Sequence, residues 1–191
     1  MIEVFDTTAA RIALARRRLG CPDCRNPLRP WGHARERAIR GTGGAVLRIR
    51  PDRARCTGCS VTHVVLDAGL LPRRAYTADL IGQALVTAAR GHGHRPIARD
   101  LDVPAGTVRG WIRGARRSAV PLRVLGIRTV LGYGQDHLLS WASTDELGAA
   151  LEHLAAAALV TGRRHGLEHV SWWARINVLT GGRLLSMAPA G

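Results

Sequence analysis

Four cysteines carry the most specific chemistry in this chain of 191 residues. Cys21-Pro22-Asp23-Cys24 and Cys56-Thr57-Gly58-Cys59 are two C-x2-C pairs that use every cysteine of the sequence, and 31 residues separate them. Zn²⁺ takes four soft ligands in a tetrahedron, and each tight C-x2-C turn sets two thiolates on one side of it. The rival chemistry, a redox dithiol, requires one pair at a helix start in a βαβ setting. Neither pair stands in one. Four thiolates also close the coordination sphere and leave no place for a reactive water, so the metal belongs to the fold and not to catalysis. The expectation is a structural Zn²⁺ at Cys21, Cys24, Cys56 and Cys59.

A second set of residues suits recognition. Between His94 and Arg117, Ile97, Ala98 and Leu101 make the apolar face of a short helix. Asp102-Val103-Pro104 reads as a tight turn. Val108, Trp111 and Ile112 then recur at i, i+3 and i+4, which is helical spacing. Preceded by a helix over 78–89, with Thr77 as its cap and Asp79 in its first turn, this predicts a three-helix helix-turn-helix domain over 77–118, its second and third helices near 95–101 and 105–117. Asp102 occupies a turn position that favours Gly, and Pro104 suits a helix start because its missing N–H is not needed there. With the third helix in a major groove, its early residues reach base edges and its later ones phosphates. The candidate DNA contacts are Arg95, Gly106, Thr107, Arg109, Gly110, Arg113, Arg116 and Arg117. Arg109 has the reach and fork geometry to bind a guanine bidentately.

These residues need elements to position them. The gap between the cysteine pairs is about a dozen residues longer than the usual zinc spacing, so it must be ordered. It reads as strands over 38–40 and 45–50 around the turn Gly41-Thr42-Gly43-Gly44, with another strand over 63–66. Residues 21–70 are therefore expected to form a zinc ribbon, crowded with arginines among which Trp31 and His33 interleave. Residues 1–20 are an N-terminal arm or a helix over 9–19. Pro72-Arg73-Arg74 is a basic linker, and Gly91-His92-Gly93-His94 reads as a turn and not a metal site. Residues 119–191 form a small C-terminal helical region, with one helix over 121–131. A second starts on a capping box from Ser143 to Glu146 and stops at Gly162. A third runs from a Ser171 cap to a Gly181 stop. The expected fold is mainly α with a small β zinc ribbon.

Charge points to the partner. All 28 basic side chains are arginine and the net charge is +14. Residues 1–128 hold 24 arginines against 9 acids, and residues 129–191 hold 4 against 5. A basic part joined to a near-neutral one suits a polyanion, most commonly nucleic acid. No basic amphipathic helix with a bulky apolar face suggests a membrane surface. No run approaches the ~18 apolar residues of a membrane span, and residues 1–20 lack the apolar core of a signal peptide. A cytoplasmic, nucleoid-associated protein is expected.

The combination resembles a group of short, uncharacterised zinc-ribbon plus helix-turn-helix proteins of high-GC bacteria. The residues that carry the resemblance are Cys21-Pro22-Asp23-Cys24, Cys56 to Cys59, Thr62-His63-Val64, Pro72-Arg73-Arg74, Ile97-Ala98 and Thr107-Val108-Arg109-Gly110-Trp111. It covers residues 20–117, with a weaker likeness in the segment WARINVLTGGRLL. The layout is also similar to the N-terminal DNA-binding region of insertion-sequence transposases, which continue into a catalytic domain with three carboxylates. Here only Asp136, Asp145, Glu146, Glu152 and Glu168 follow residue 118, on a stretch too short for such a domain.

The sequence thus predicts a non-enzymatic, zinc-stabilised protein that binds double-stranded DNA, as a transcriptional regulator or a mobile-element accessory factor. A homodimer through the C-terminal region is an open option. The alternative readings are a transposase or recombinase fragment acting with a separate catalytic partner, and an RNA- or ribosome-associated zinc ribbon.

Overall fold

The computed structural model describes residues 1–139 and 142–187. The first part of the chain holds the strands. These are β1 (Ile2–Val4), β2 (Leu28–His33), β3 (Arg37–Arg40), β4 (Val46–Ile49), β5 (Asp52–Cys56) and β6 (Thr62–Asp67), with helix α1 (Thr7–Ala15) after β1. A four-stranded sheet runs in the order β1-β6-β5-β2. β1 lies parallel to β6 with Ile2 opposite Val65, and β5 lies antiparallel to β2 and β6 with Cys56 opposite Leu28 and Ala54 opposite His63. β3 and β4 form a separate hairpin whose turn uses the glycine run as expected.

Alternation along the strands explains which side is buried. Ala54 and Cys56 of β5, and His63 and Val65 of β6, are buried with Leu28 beneath Ala10 and Leu14 of α1. This core is small, and two of its seven buried residues are the cysteines Cys21 and Cys56. Apolar burial alone therefore supports little of this part. The N-terminal residues are not a free arm. Asp6 caps α1 by accepting from the amides of Thr8 (2.8 Å) and Ala9 (2.9 Å). The helix is shorter and earlier than 9–19 because that cap fixes its start and Arg17 adopts a left-handed φ of 54° just past its end.

The second part is helical: α2 (Ala78–Ala89), α3 (His94–Asp100), α4 (Ala105–Arg117), α5 (Ala119–Gly132), α6 (Glu146–His165) and α7 (Trp172–Leu179). The junction of α3 and α4 follows from Asp102. At φ 50° it lets the Val103 amide donate to the Ala98 carbonyl (2.9 Å) and its own amide to Arg99 (3.3 Å), the pairing that ends a helix through a left-handed residue. Pro104 then opens α4, its carbonyl accepting from Thr107 and Val108. One apolar core runs through all six helices, from Leu71, Ile81 and Leu85 through Ile97, Val108 and Trp111 to Leu122, Leu154 and Ile176. Tyr76 meets Trp111 edge to face at 5.0 Å. The three helices α2–α4 thus share their interior with α5–α7.

Two expectations for the C-terminal region are corrected. The cap of α6 is Asp145, whose carboxylate accepts from the Gly148 amide (3.3 Å), while the Ser143 hydroxyl donates to the Asp145 carbonyl. Asp145 stands directly before the helix, where its oxygen reaches the free amide. Gly162 does not end α6, which continues to His165 and stops at Gly166 in a left-handed conformation. Gly162 is buried, and Arg175 fills the space a side chain there would need. The helix over 121–131 is α5, two residues longer at its start and one at its end. α7 has the expected Ser171 cap, with the Ala174 amide donating to its hydroxyl (3.1 Å).

The two parts are fastened together. Asn177 of α7, fully buried, donates from Nδ2 to the carbonyls of Ala68 (2.9 Å) and Leu70 (3.1 Å) just past β6. Arg40 of the hairpin exchanges backbone hydrogen bonds with the segment before α2, donating to Ala75 (2.8 Å) and accepting from Thr77 (2.9 Å).

Candidate metal centre and basic surface

The fold brings all four cysteines together, their Sγ atoms within 4.8 Å of one another. Cys21 and Cys24 lie on the turn before β2. Cys56 ends β5, and Cys59 follows on the turn into β6. The pairing of Leu28 with Cys56 across β2 and β5 sets the two turns side by side. Cys21 Sγ is 3.8 Å from Cys59 Sγ, and Cys24 Sγ is 3.3 Å from Cys56 Sγ. A tetrahedron with metal–sulfur bonds of about 2.3 Å has S···S edges of about 3.8 Å, so the donor set fits one ion. Both separations are far beyond the ~2.05 Å of a disulfide, and all four cysteines are free thiols.

Local hydrogen bonds prepare thiolates. The amides of Gly58 (3.3 Å) and Cys59 (3.4 Å) donate to Cys56 Sγ. Asn26 donates from Nδ2 to Cys24 Sγ (3.5 Å), and its bonds are the main reason that the Cys24 thiol is lowered to about 6. Cys59 is pushed up to about 12, despite a bond from the Val61 amide that lowers it, by burial and by the neighbouring thiols. Four thiols in contact cannot all ionise without a cation among them.

His63 is a participant that the sequence reading did not single out as part of the site. Its Nε2 lies 3.3 Å from Cys21 Sγ and 3.8 Å from Asp23, and it is buried. From this position the ring can donate an N–H to the Cys21 sulfur and hold it in place, as groups around metal ligands commonly do. The signal was alternation: with Val65 facing the core, His63 on the same strand faces it too.

α4 presents a different surface. Val108, Trp111, Ile112 and Ala115 are buried, while Gly106, Arg109, Gly110, Arg113, Arg116 and Arg117 are exposed. Thr107 is half-buried and Arg95 is exposed at the start of α3. Arg109, Arg113, Arg116 and Arg117 share with His92 and His94 an open concavity of about 490 Å³. Among the described residues none of Arg95, Arg109, Arg113, Arg116 and Arg117 makes an ion pair. A Cβ at Gly106 or Gly110 would meet nothing, so the helix backbone is open to close approach there. The opposite face is clamped: a Cβ on Gly114 would stand 2.7 Å from the Leu185 carbonyl oxygen.

Some arginines of the strand-rich part are engaged by an aromatic ring or a carboxylate. Trp31 sits between the guanidinium groups of Arg29 and Arg55, each 4.7 Å from its ring centre. Asp52 accepts from Arg11 (3.0 Å) and pairs with His33 (3.2 Å). No helix among the described residues is long and apolar enough to cross a membrane.

The structure therefore defines a chain with a metal-competent cluster of four cysteines joined to a helical part with a basic helix face. A domain of unknown function, DUF6431, matches residues 21–111, from the first cysteine to Trp111 of α4. The match takes in both the cysteine cluster and the helices α2 and α3. No curated protein and no solved structure matches the chain.

Proposed function

We propose that this chain is a zinc-stabilised helix-turn-helix protein that binds double-stranded DNA, and that it serves as a transcriptional regulator or an accessory factor of a mobile element. One observation carries the reading: the exposed face of α4 holds Arg109, Arg113, Arg116 and Arg117, none ion-paired among the described residues, while its other face is buried in a three-helix frame. In this reading Cys21, Cys24, Cys56 and Cys59 hold a structural Zn²⁺, the ion that suits four thiolates in a closed tetrahedron. The chain acts by binding and not by catalysis. Gly106 and Gly110 let the helix approach base edges, Thr107 and Arg109 read them, and Arg113, Arg116 and Arg117 hold phosphates, with Arg95 beside them. Selection of bound sequences from a random duplex pool tests the reading. A consensus is expected to emerge, and Arg109→Ala should flatten it at one position, a loss of about 1–3 kcal/mol of discrimination. Recovery of a random pool would reject it.

Dimerisation fits the same reading, because a single such module binds weakly. On α5, Val120 and Val124 are exposed, Ile127 is half-buried and Leu131 is exposed. Their 4-3-4 spacing is the seam along which two helices interdigitate, which favours a second copy of this chain as the occupant. Val124→Glu is expected to convert a dimer to a monomer in sedimentation at micromolar concentration. A wild-type chain that sediments as a monomer would end the dimer proposal.

A further inference from the structure

A second basic concavity lies away from the α4 face. It is a groove of about 950 Å³ between the hairpin, the linker before α2 and the end of the helical part. Five arginines line it: Arg35, Arg37, Arg73, Arg74 and Arg183. They come from three distant stretches of sequence. Among the described residues none of them makes an ion pair, although Glu36 lies between the first two, because Glu36 pairs with Arg48 (3.4 Å). Glu3 stands at the Gly182 end of the groove and makes no ion pair among the described residues.

The groove is built. Gly181 and Gly182 both adopt positive φ, 58° and 72°, and a Cβ on Gly182 would stand 2.6 Å from Pro72 Cγ. Glycine thus lets the chain after α7 close on Pro72 and set Arg183 beside Arg73 and Arg74. Arg73 is itself held at φ 57°, a left-handed conformation that a residue with a Cβ seldom adopts. The same wall is anchored to α4. Leu185 packs on Gly114, and the Met187 amide donates to the Ser118 hydroxyl (3.0 Å). The segment that carries Arg183 is therefore fixed to the buried side of α4, the side opposite its exposed arginines.

Five guanidinium groups in one groove, none ion-paired among the described residues and only Arg183 bonded to a backbone carbonyl (Thr180, 3.4 Å), repel each other and suit a ligand with several negative charges at a regular interval. Arginine matches phosphate in geometry as well as charge. We propose that this groove is a second phosphate-binding surface, which grips the backbone of the same duplex beyond the stretch that α4 contacts. The inference rests on the DNA-binding reading and extends it: the junction between the two parts becomes a positioning device, and not a linker alone.

The test compares two double variants of the full-length zinc-loaded chain. Arg73→Gln with Arg183→Gln removes two charges from the groove. Arg163→Gln with Arg164→Gln removes two exposed charges near the end of α6, outside both surfaces. Binding of a labelled duplex is measured from low to moderate salt, with metal content and melting temperature checked for each variant. Each lost phosphate contact lowers the slope of log affinity against log salt by about 0.9. The groove variant should lose roughly 1.8 in slope, equally on selected and scrambled duplexes, and the control should lose almost nothing. Equal slopes for both variants, or no loss in the groove variant, would overturn the groove. If the wild type binds a duplex and Arg109→Ala still relaxes its sequence preference, then only the groove falls. A wild-type chain that binds no duplex overturns the underlying reading as well.

Discussion

Removal of the metal is expected to unfold the strand-rich part while the helical part stays folded. The reason is the unequal size of the two cores. Beneath α1 the buried set is Ala10, Leu14, Cys21, Leu28, Ala54, Cys56 and Val65, and a second small cluster holds Ile39, Leu66 and Leu70; together these are few apolar side chains for some sixty residues of strand and turn. α2–α7 bury Leu71, Ile81, Leu85, Ile97, Trp111, Leu122, Leu154 and Ile176 in one interior and need no ion. Structural Zn²⁺ contributes about 10–16 kcal/mol to folding in small zinc modules at neutral pH, as much as the about 5–15 kcal/mol that typically holds a whole domain folded. A strong chelator should therefore expose residues 21–66 to protease, with most of the helical circular dichroism retained. Cys21→Ser or Cys56→Ser should drop the metal content from one ion per chain to near none with the same protease pattern. Cys56→Ser is the more severe, since Cys56 also accepts the amides of Gly58 and Cys59. A metal-free chain that resists protease as the untreated one does would reject the site. So would a native mass four hydrogens lighter, the mark of two disulfides.

How much of this was legible in the sequence depends on whether a residue's signal is local. α2 and α4 could be read to the residue because apolar periodicity and the caps Thr77 and Pro104 are contained in the segment. The turn at Asp102 could be read because only a few residue types tolerate its φ. The cysteines could be read because each C-x2-C pair is a local turn. β2 and β5 could not. Leu28 is the one fully buried residue of β2, and β5 is Asp-Arg-Ala-Arg-Cys, in which a small Ala and a metal ligand take the inward places. β1 is three residues long and exists only because β6 offers it a parallel edge. The same limit hid His63, whose role needs Cys21 across the turn, and Asn177, which holds Ala68 and Leu70 more than a hundred residues away. On α6 the Ser143-x-x-Glu146 pattern misled, because the cap is set by which oxygen meets the Gly148 amide, and Asp145 meets it. The groove has no sequence signature at all: it is made by glycines and a proline that allow residues 35–37, 73–74 and 183 to meet.

Replacing Arg113, Arg116 and Arg117 together by Gln is expected to give the largest loss of DNA affinity of any variant that leaves the fold intact. All three are exposed and make no ion pair among the described residues, so folding stability should shift by no more than about 0.5 kcal/mol for each. Arg116 and Arg117 stand in the last turn of α4, which gives those two a modest favourable interaction with the helix dipole, about 0.3–1 kcal/mol at most for such surface sites, and the buried face of the helix is untouched. The effect should therefore fall on binding. If each arginine neutralises one phosphate, the salt slope falls by about 2.7, and the loss is greatest at low salt, where counterion release contributes most. Sequence preference should survive, because Thr107 and Arg109 remain at the other end of the helix. The opposite division, affinity retained and preference lost, is expected for Arg109→Ala. Binding measured over a salt series on selected and scrambled duplexes separates the two. A triple variant with an unchanged slope would mean that α4 does not lie along a phosphate backbone, and its basic face would then be no more than a solvated helix surface.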